Sequence, residues 1–233
     1  MALALLADAA RDLGAASVGL VAPYLAYMRQ DARFTPGEAV AARTWARLLS
    51  RLVDSLVTVD PHLHRLDSLA TVFDIPTTAV DVAPLLAHWI GANVARPLIV
   101  GPDVESRQWV LGVAESVGAP LLVLEKVRRG STEVDISITE DLSPHRGRTP
   151  VLVDDIISTG HTLAQTARHL STRDLAAAVC VGVHAVFAPG AEDTLRGAGV
   201  SRVVTTNTIV HHTNAIDVAS AIANQIADAT PKR

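Results

Sequence analysis

The sequence predicts an open α/β fold, a mostly parallel sheet flanked by helices, on three observations. Short apolar runs alternate with stretches of helical periodicity along the whole chain. Aromatic residues make up only 3% of the chain, so the core falls to Val, Ile, Leu and Ala, the residues of strands covered on both faces. The string T-P-V-L-V-D-D-I-I-S-T-G-H-T (149–162) reads as a buried strand, a tight loop and a helix start. With 233 residues, 49% of them hydrophobic, the chain can bury a full core as one large domain or two small ones.

Taken in order, Ala2 to Leu13 forms a helix with Leu3, Leu6, Ala10 and Leu13 on one face, ended by Gly14. V-G-L-V-A (18–22) is a short strand, and Pro23 to Gly37 a loop. Glu38 to Leu52 is an amphipathic helix with Ala41, Trp45, Leu48, Leu49 and Leu52 on one side, followed by the strand S-L-V-T-V-D (55–60). A second series then begins: helix Ala83 to Ile90, strand P-L-I-V-G (97–101), helix Glu105 to Val117 and strand L-L-V-L-E (121–125). After the 149–162 unit come strand 177–187, helix Ala191 to Arg196, strand R-V-V-T-T (202–206) and helix Asp217 to Ala229. The join between the series falls near Asp81, giving segments 1–80, 81–212 and a C-terminal helical segment 213–233.

Composition excludes several function classes. A formal charge of −4 gives no basic footprint for nucleic acid, and base-stacking aromatics are scarce. No apolar run approaches the roughly 20 residues a membrane span needs. The N-terminus M-A-L-A-L-L-A-D lacks a positive leading region, so it reads as a helix and not a signal peptide. Cys180 is the single cysteine and sits in the apolar run A-A-V-C-V-G-V, which rules out a disulfide scaffold and sets the expectation of a reducing, cytoplasmic location.

Open α/β sheets bind ligands where strand C-terminal ends meet loops. Here those are the segments 23–37, 60–67, 101–107, 125–134, 154–162 and 206–214. The 154–162 segment has the most chemistry. Ser158, Thr159, Gly160, His161 and Thr162 lie at a helix N-terminus, where free N–H groups and the helix dipole attract phosphate. Asp154 and Asp155 just before it can accept hydrogen bonds from two neighbouring hydroxyls. A phosphate at one end and a diol at the other suit a ribose 5-phosphate, although acids at strand ends also serve as caps and turn formers.

The other polar segments leave two readings open each. The loop P-Y-L-A-Y-M-R-Q-D-A-R-F-T-P-G-E brings together Arg29, Gln30 and Asp31, suited to a phosphate and a polar ring edge or to a solvated turn. In V-D-P-H-L-H-R, His62 and His64 point the same way in extended chain, toward a metal or phosphate or simply into solvent. Asp103 follows a strand in G-P-D-V-E-S-R. Lys126, Arg128 and Arg129 form either a solvated basic hairpin or a cationic loop that closes over a phosphate site. V-H-H-T-N (210–214) is polar without an assignable role.

The strings PYLAYMRQDARFTPGE, TVDPHLH, GPDVESR, LEKVRR, VLVDDIISTGHT and TTNTIVHHTNAIDVA, in this order and over nearly the whole chain, resemble the ribose-phosphate diphosphokinases, or phosphoribosyl-diphosphate synthetases. The resemblance implies two type I phosphoribosyltransferase-like halves. It implies transfer of the diphosphate of ATP to the C1 hydroxyl of ribose 5-phosphate, a Mg²⁺ requirement and a homo-oligomer, dimer or hexamer. Residue by residue it implies ATP binding at Arg29, Gln30 and Asp31, and metal at His62 and Asp103. It further implies catalysis by Lys126, Arg128 and His62, and ribose-5-phosphate binding at Asp154, Asp155 and Ser158 to Thr162.

The chain also departs from the family pattern. The family carries further N-terminal residues, including an acidic F-S-D-G-E-type loop, so the first half is expected to be incomplete. S-T-G-H-T replaces the frequent D-T-A-G-T, with His161 where glycine is usual, and E-S-R replaces a G-G pattern after Asp103. These departures motivate a second reading, a non-catalytic relative that binds ribose phosphates or regulates a true synthetase. A third, a phosphoribosyltransferase, is opposed by the R-Q-D and V-D-P-H segments.

Overall fold

A computed structural model describes residues 1–229 except 34, 64, 103–106, 130–132 and 138–140; for 108, 125–129, 133–137, 228 and 229 the description covers the backbone alone. The chain runs α1 (Ala2–Asp12), β1 (Gly19–Ala22), α2 (Ala41–Leu52), β2 (Ser55–Val59), β3 (Thr77–Val80), α3 (Ala83–Asn93) and β4 (Pro97–Gly101). It continues α4 (Arg107–Val117), β5 (Leu121–Val123), β6 (Glu125–Arg129), β7 (Glu133–Ser137), β8 (Thr149–Ile157), α5 (His161–Ser171) and β9 (Val179–Ala185). It ends α6 (Ala191–Gly197), β10 (Arg202–Thr206), β11 (Asn214–Ile216) and α7 (Ala219–Ala229). Two compact units result: Met1–Asp81 with Ala219–Arg233, and Val82–Val218. The C-terminal helix, read from the sequence as a segment of its own, groups with the first unit.

The first unit holds a three-stranded parallel sheet, β1-β2-β3. Its core joins Ala42, Ala46 and Leu49 of α2 to Leu56 of β2 and to Leu25 and Met28 of the loop before α2. Two sequence expectations need correction. The inward side of α1 is Ala7, with Leu3 half-buried, whereas Leu6 and Leu13 face solvent at 69% and 89% exposure. Helix α2 begins at Ala41 and not Glu38, because Gln30 supplies its start: Gln30 Nε2 donates to Ala39 O and Gln30 Oε1 accepts from Ala41 N–H. Strand β3 was not foreseen, since T-T-A-V has no continuous apolar run.

The second unit holds a six-stranded parallel sheet in the order β11-β10-β9-β8-β4-β5. Every residue of β9 is buried, as is the Val151–Val153 stretch of β8. Helices α3 and α4 pack on one another, and α3 buries Leu86 and Ile90 completely. From β4 the chain goes outward to β5, then returns to lay β8 on the other side of β4. That reversal is the switch point at which open α/β sheets form their ligand crevice. Strands β6 and β7 form a separate antiparallel hairpin, with Lys126 paired to Ile136 and Arg128 to Val134. The mostly parallel α/β architecture expected from the sequence is what the chain adopts.

Candidate functional site

Strand β8 is nine residues long and outruns its neighbour β4, whose pairing with it ends at Val100 and Leu152. The surplus carries Asp154 and Asp155 to the C-terminal edge of the sheet, both half-buried between the buried Val151–Val153 and Ile156–Ile157. The sequence placed the loop at 154–162; the structure keeps 154–157 in the strand and confines the loop to Ser158–Gly160. The reason is Gly182 of β9, which lies opposite Asp154. A Cβ there would stand 2.7 Å from both Cγ1 and Cδ1 of Ile157, so the missing side chain is the space Ile157 occupies. The Asp155 N–H donates to Asp154 Oδ1 at 3.1 Å, orienting the first carboxylate.

The turn into α5 depends on Gly160. Its φ is +69°, and a Cβ would stand 3.1 Å from Leu195 Cγ and 3.3 Å from Ala191 O of α6. Only glycine meets both conditions. Ser158 O accepts from Ala188 N–H at 3.1 Å, which ties the loop to the segment leading into α6. Gly160 at the N-cap has no side chain to offer, and the one side-chain contact to the first turn among the described residues is a long one, the His161 N–H donating to Thr159 Oγ1 at 3.5 Å. Thr159 and His161 are exposed, Ser158 and Thr162 half-buried. Two carboxylates therefore lie immediately ahead of a helix start that attracts anions.

Beside the end of β8 lies a buried hydroxyl network. His184 Nδ1 lies 2.9 Å from Thr208 Oγ1, and Thr206 Oγ1 donates to Val183 O at 2.7 Å. His184 stands opposite Ile156 in the sheet, so the network buttresses the end of β8. Cys180 lies deeper in β9; burial pushes its thiol pKa up, and the charge of Asp154 adds to the effect.

Asp154, Asp155 and Ser158 to Thr162 are thus gathered in one strand–loop–helix unit. Lys126 and Arg128 lie on β6, whose partner β7 runs alongside α5 in the same unit. Asp103 lies outside the described residues. Arg29, Gln30, Asp31 and His62 belong to the first unit. There the three residues of R-Q-D go different ways: Arg29 is exposed, Gln30 fixes the start of α2, and Asp31 is fully enclosed, accepting from Arg65 Nη1 at 2.9 Å. His62 is half-buried just past β2. Tyr27 and Asp60, at φ +68° and +30°, hold left-handed backbone in these two loops, as Arg96 does at +47° ahead of β4.

Sequence reasoning missed Arg65, Gly182 and Leu195. Arg65 closes the D-P-H-L-H-R segment and could have been suspected as a partner for an acid in R-Q-D. Gly182 and Leu195 act through shape, which no local pattern reveals.

The chain matches the model for the N-terminal domain of ribose phosphate pyrophosphokinase over residues 1–52 and that for the phosphoribosyl transferase domain over residues 68–221. It is 35% identical over 222 residues to a ribose-phosphate pyrophosphokinase of Halobacterium salinarum, covering 95% of this chain and 76% of the relative. It is 36% identical over 222 residues to one of Methanopyrus kandleri, covering 94% and 74%. The crystal structure of phosphoribosylpyrophosphate synthetase from Mycobacterium smegmatis superposes with a TM-score of 0.80 at 27% identity, over 96% of this chain and 74% of that one. Among the described residues no helix is long and apolar enough to cross a membrane.

Proposed function

The chain belongs to the ribose-phosphate pyrophosphokinase family, and on that premise we propose that it transfers the diphosphate of ATP to the C1 hydroxyl of ribose 5-phosphate. One observation carries the reading: two half-buried carboxylates at a strand end lead directly into a glycine-hinged helix start. Asp154 and Asp155 accept hydrogen bonds from the ribose hydroxyls, and the Ser158–Thr162 amides and hydroxyls hold the 5-phosphate. The C1 oxygen then attacks the β-phosphorus of ATP. The bond from that phosphorus to the bridging α,β-oxygen breaks, AMP leaves, and the hydroxyl proton passes to solvent. Such a transfer needs positioning and charge neutralisation more than a covalent nucleophile.

The remaining residues take roles in the same step. Arg29 meets the nucleotide phosphates, while Gln30 and Asp31 hold its loop in shape. Lys126 and Arg128 neutralise charge that builds between the phosphates. The half-exposed carboxylates offer the oxygen donors Mg²⁺ prefers, and such sites use one or two protein ligands plus substrate oxygens. The family resemblance makes His62 and Asp103 the metal-associated residues, and the ion would supply charge neutralisation at the phosphoryl oxygens. The protein works as a homo-oligomer, dimer or hexamer, in the cytoplasm.

The test is direct. Incubation with ATP, Mg²⁺ and ribose 5-phosphate is expected to give AMP and phosphoribosyl diphosphate in equal amounts, followed by chromatography. Tight ribose-phosphate binding with no AMP would overturn the reaction and leave a binding protein.

A further inference from the structure

We propose that Glu192, His211 and His212 form a binding site for a divalent transition-metal ion of the zinc class, separate from the sugar-phosphate loop. Each residue offers one ligand atom, and the three atoms lie within 4.8 Å of one another. Glu192 is the second residue of α6, and the histidines sit on the connection between β10 and β11. His212 Nε2 is 2.9 Å from Glu192 Oε2, and His211 Nε2 is 3.7 Å from Glu192 Oε1. Donors around a tetrahedral zinc lie at about 2.0–2.2 Å from the ion, hence roughly 3.4 Å from each other. Small side-chain shifts suffice to close the site.

The competing account is an ordinary carboxylate–histidine ion pair, which needs one imidazole. Here two rings converge on one carboxylate, each against a different oxygen, with their centroids 4.3 Å apart. One divalent ion satisfies all three groups. His211 is held from two sides: Phe187 lies against its ring, centroids 4.5 Å apart and tilted by 32°, and Thr213 Oγ1 lies 2.9 Å from Nδ1, the position from which outer partners orient a metal-bound imidazole. With an ion on Nε2, Nδ1 would carry the proton and donate to that hydroxyl; without one, Nδ1 can accept from the Thr213 N–H, 3.4 Å away. Thr213 Oγ1 is in turn 2.8 Å from Thr205 Oγ1, so the support runs into the sheet.

The donor set decides the class of ion. Two imidazoles and one carboxylate suit zinc, whereas Mg²⁺ and Ca²⁺ favour oxygen throughout. A fourth position opens to a cleft of about 470 Å³ bordered by Asp193, Arg196 and Pro189, with room for water or a small exchangeable ligand. The ion would also pin α6 to the β10–β11 connection. Since Leu195 of α6 backs Gly160, the wall behind the sugar-phosphate loop would stiffen with it.

Titration of the full chain with Zn²⁺, free of Mg²⁺ and nucleotide, tests this. One ion per chain is expected, with a rise in thermal midpoint, and Co²⁺ in its place should give the intense visible bands of a tetrahedral site. His211→Ala and Glu192→Gln should abolish both signals, and Thr213→Val should weaken affinity by about 10- to 100-fold. His88→Ala, an exposed histidine on α3, should behave as the parent. Should His211→Ala fail to fold, His212→Ala carries the same test, its side chain being 70% exposed. No binding up to about millimolar Zn²⁺, or undiminished binding by these variants, would leave an ion pair and nothing more.

Discussion

Leu195 of α6 fills the space that any side chain at position 160 would need, its Cγ 3.1 Å from where a Cβ would stand. The contact makes Gly160 doubly constrained, because φ is already +69°. Gly160→Ala should therefore lower stability by more than the roughly 1–2 kcal/mol that left-handed backbone alone costs a residue with a Cβ. Chemical denaturation measures that loss. Calorimetric titration with ribose 5-phosphate should show weaker binding as well, since the loop must move to relieve the contact. A variant with parental stability would show that the loop has another way to turn.

The acid pair is testable without touching the fold. Asp154→Asn and Asp155→Asn keep the size of half-buried side chains and remove the charge. Hydrogen bonds to charged groups contribute about 1.5–3 kcal/mol. Each variant should thus bind ribose 5-phosphate about 10- to 150-fold less tightly by calorimetry. Unchanged affinity in both would place the sugar elsewhere.

What could be read from the sequence divides along physical lines. The parallel strands were legible because burial on both faces leaves continuous apolar runs, as in V-C-V-G-V of β9. The strand–loop–helix unit around Ser158–Gly160 was legible because its pattern is local: acids, hydroxyls and glycine in one string. The buried side of α1 was not, since Leu3, Leu6 and Leu13 look alike until something packs against Ala7. Nor was the fate of Gln30, which fixes the start of α2 eleven residues on through two hydrogen bonds that composition cannot show. The Glu192–His211–His212 cluster joins positions about 20 residues apart, so V-H-H-T-N carried only its polarity.

Cys180 should be chemically silent in the folded protein. It is fully buried in β9, with its thiol pKa raised by desolvation and by Asp154, so the reactive thiolate is suppressed twice over. An aromatic disulfide reagent should react only as fast as the protein opens, and stoichiometrically once it is unfolded. Rapid labelling under native conditions would show that the centre of the sheet is accessible.

Asp54 should contribute an acid-sensitive part of stability. The Val18 N–H donates to it at 2.7 Å and Arg11 stands 3.2 Å away; together they hold its carboxyl below the ordinary range, against a smaller opposing effect of desolvation. A carboxyl whose pKa is lowered on folding stabilises fully above the unfolded value and loses that effect as pH falls through the folded one. The urea midpoint of Asp54→Asn should lie below the parent's near neutral pH and approach it below about pH 4. A gap that persists into acid would assign the difference to lost hydrogen bonding alone.

Lys126 and Arg128 stand two positions apart on β6, in a hairpin whose second strand runs alongside the helix that begins at His161. Under the proposed reaction, Lys126 faces charge that exists only while the diphosphate is in transit. A group of that kind stabilises the transition state more than bound substrate, so removing it lowers kcat with little change in KM. Lys126→Ala should cost on the order of 10²–10³ in kcat, the loss seen when one donor to a developing charge is removed. If KM for ATP instead rose in step while kcat held, the lysine would be binding ground-state phosphate. If neither moved, the charge would have to be met by another group, with Arg128→Ala the next variant to assay.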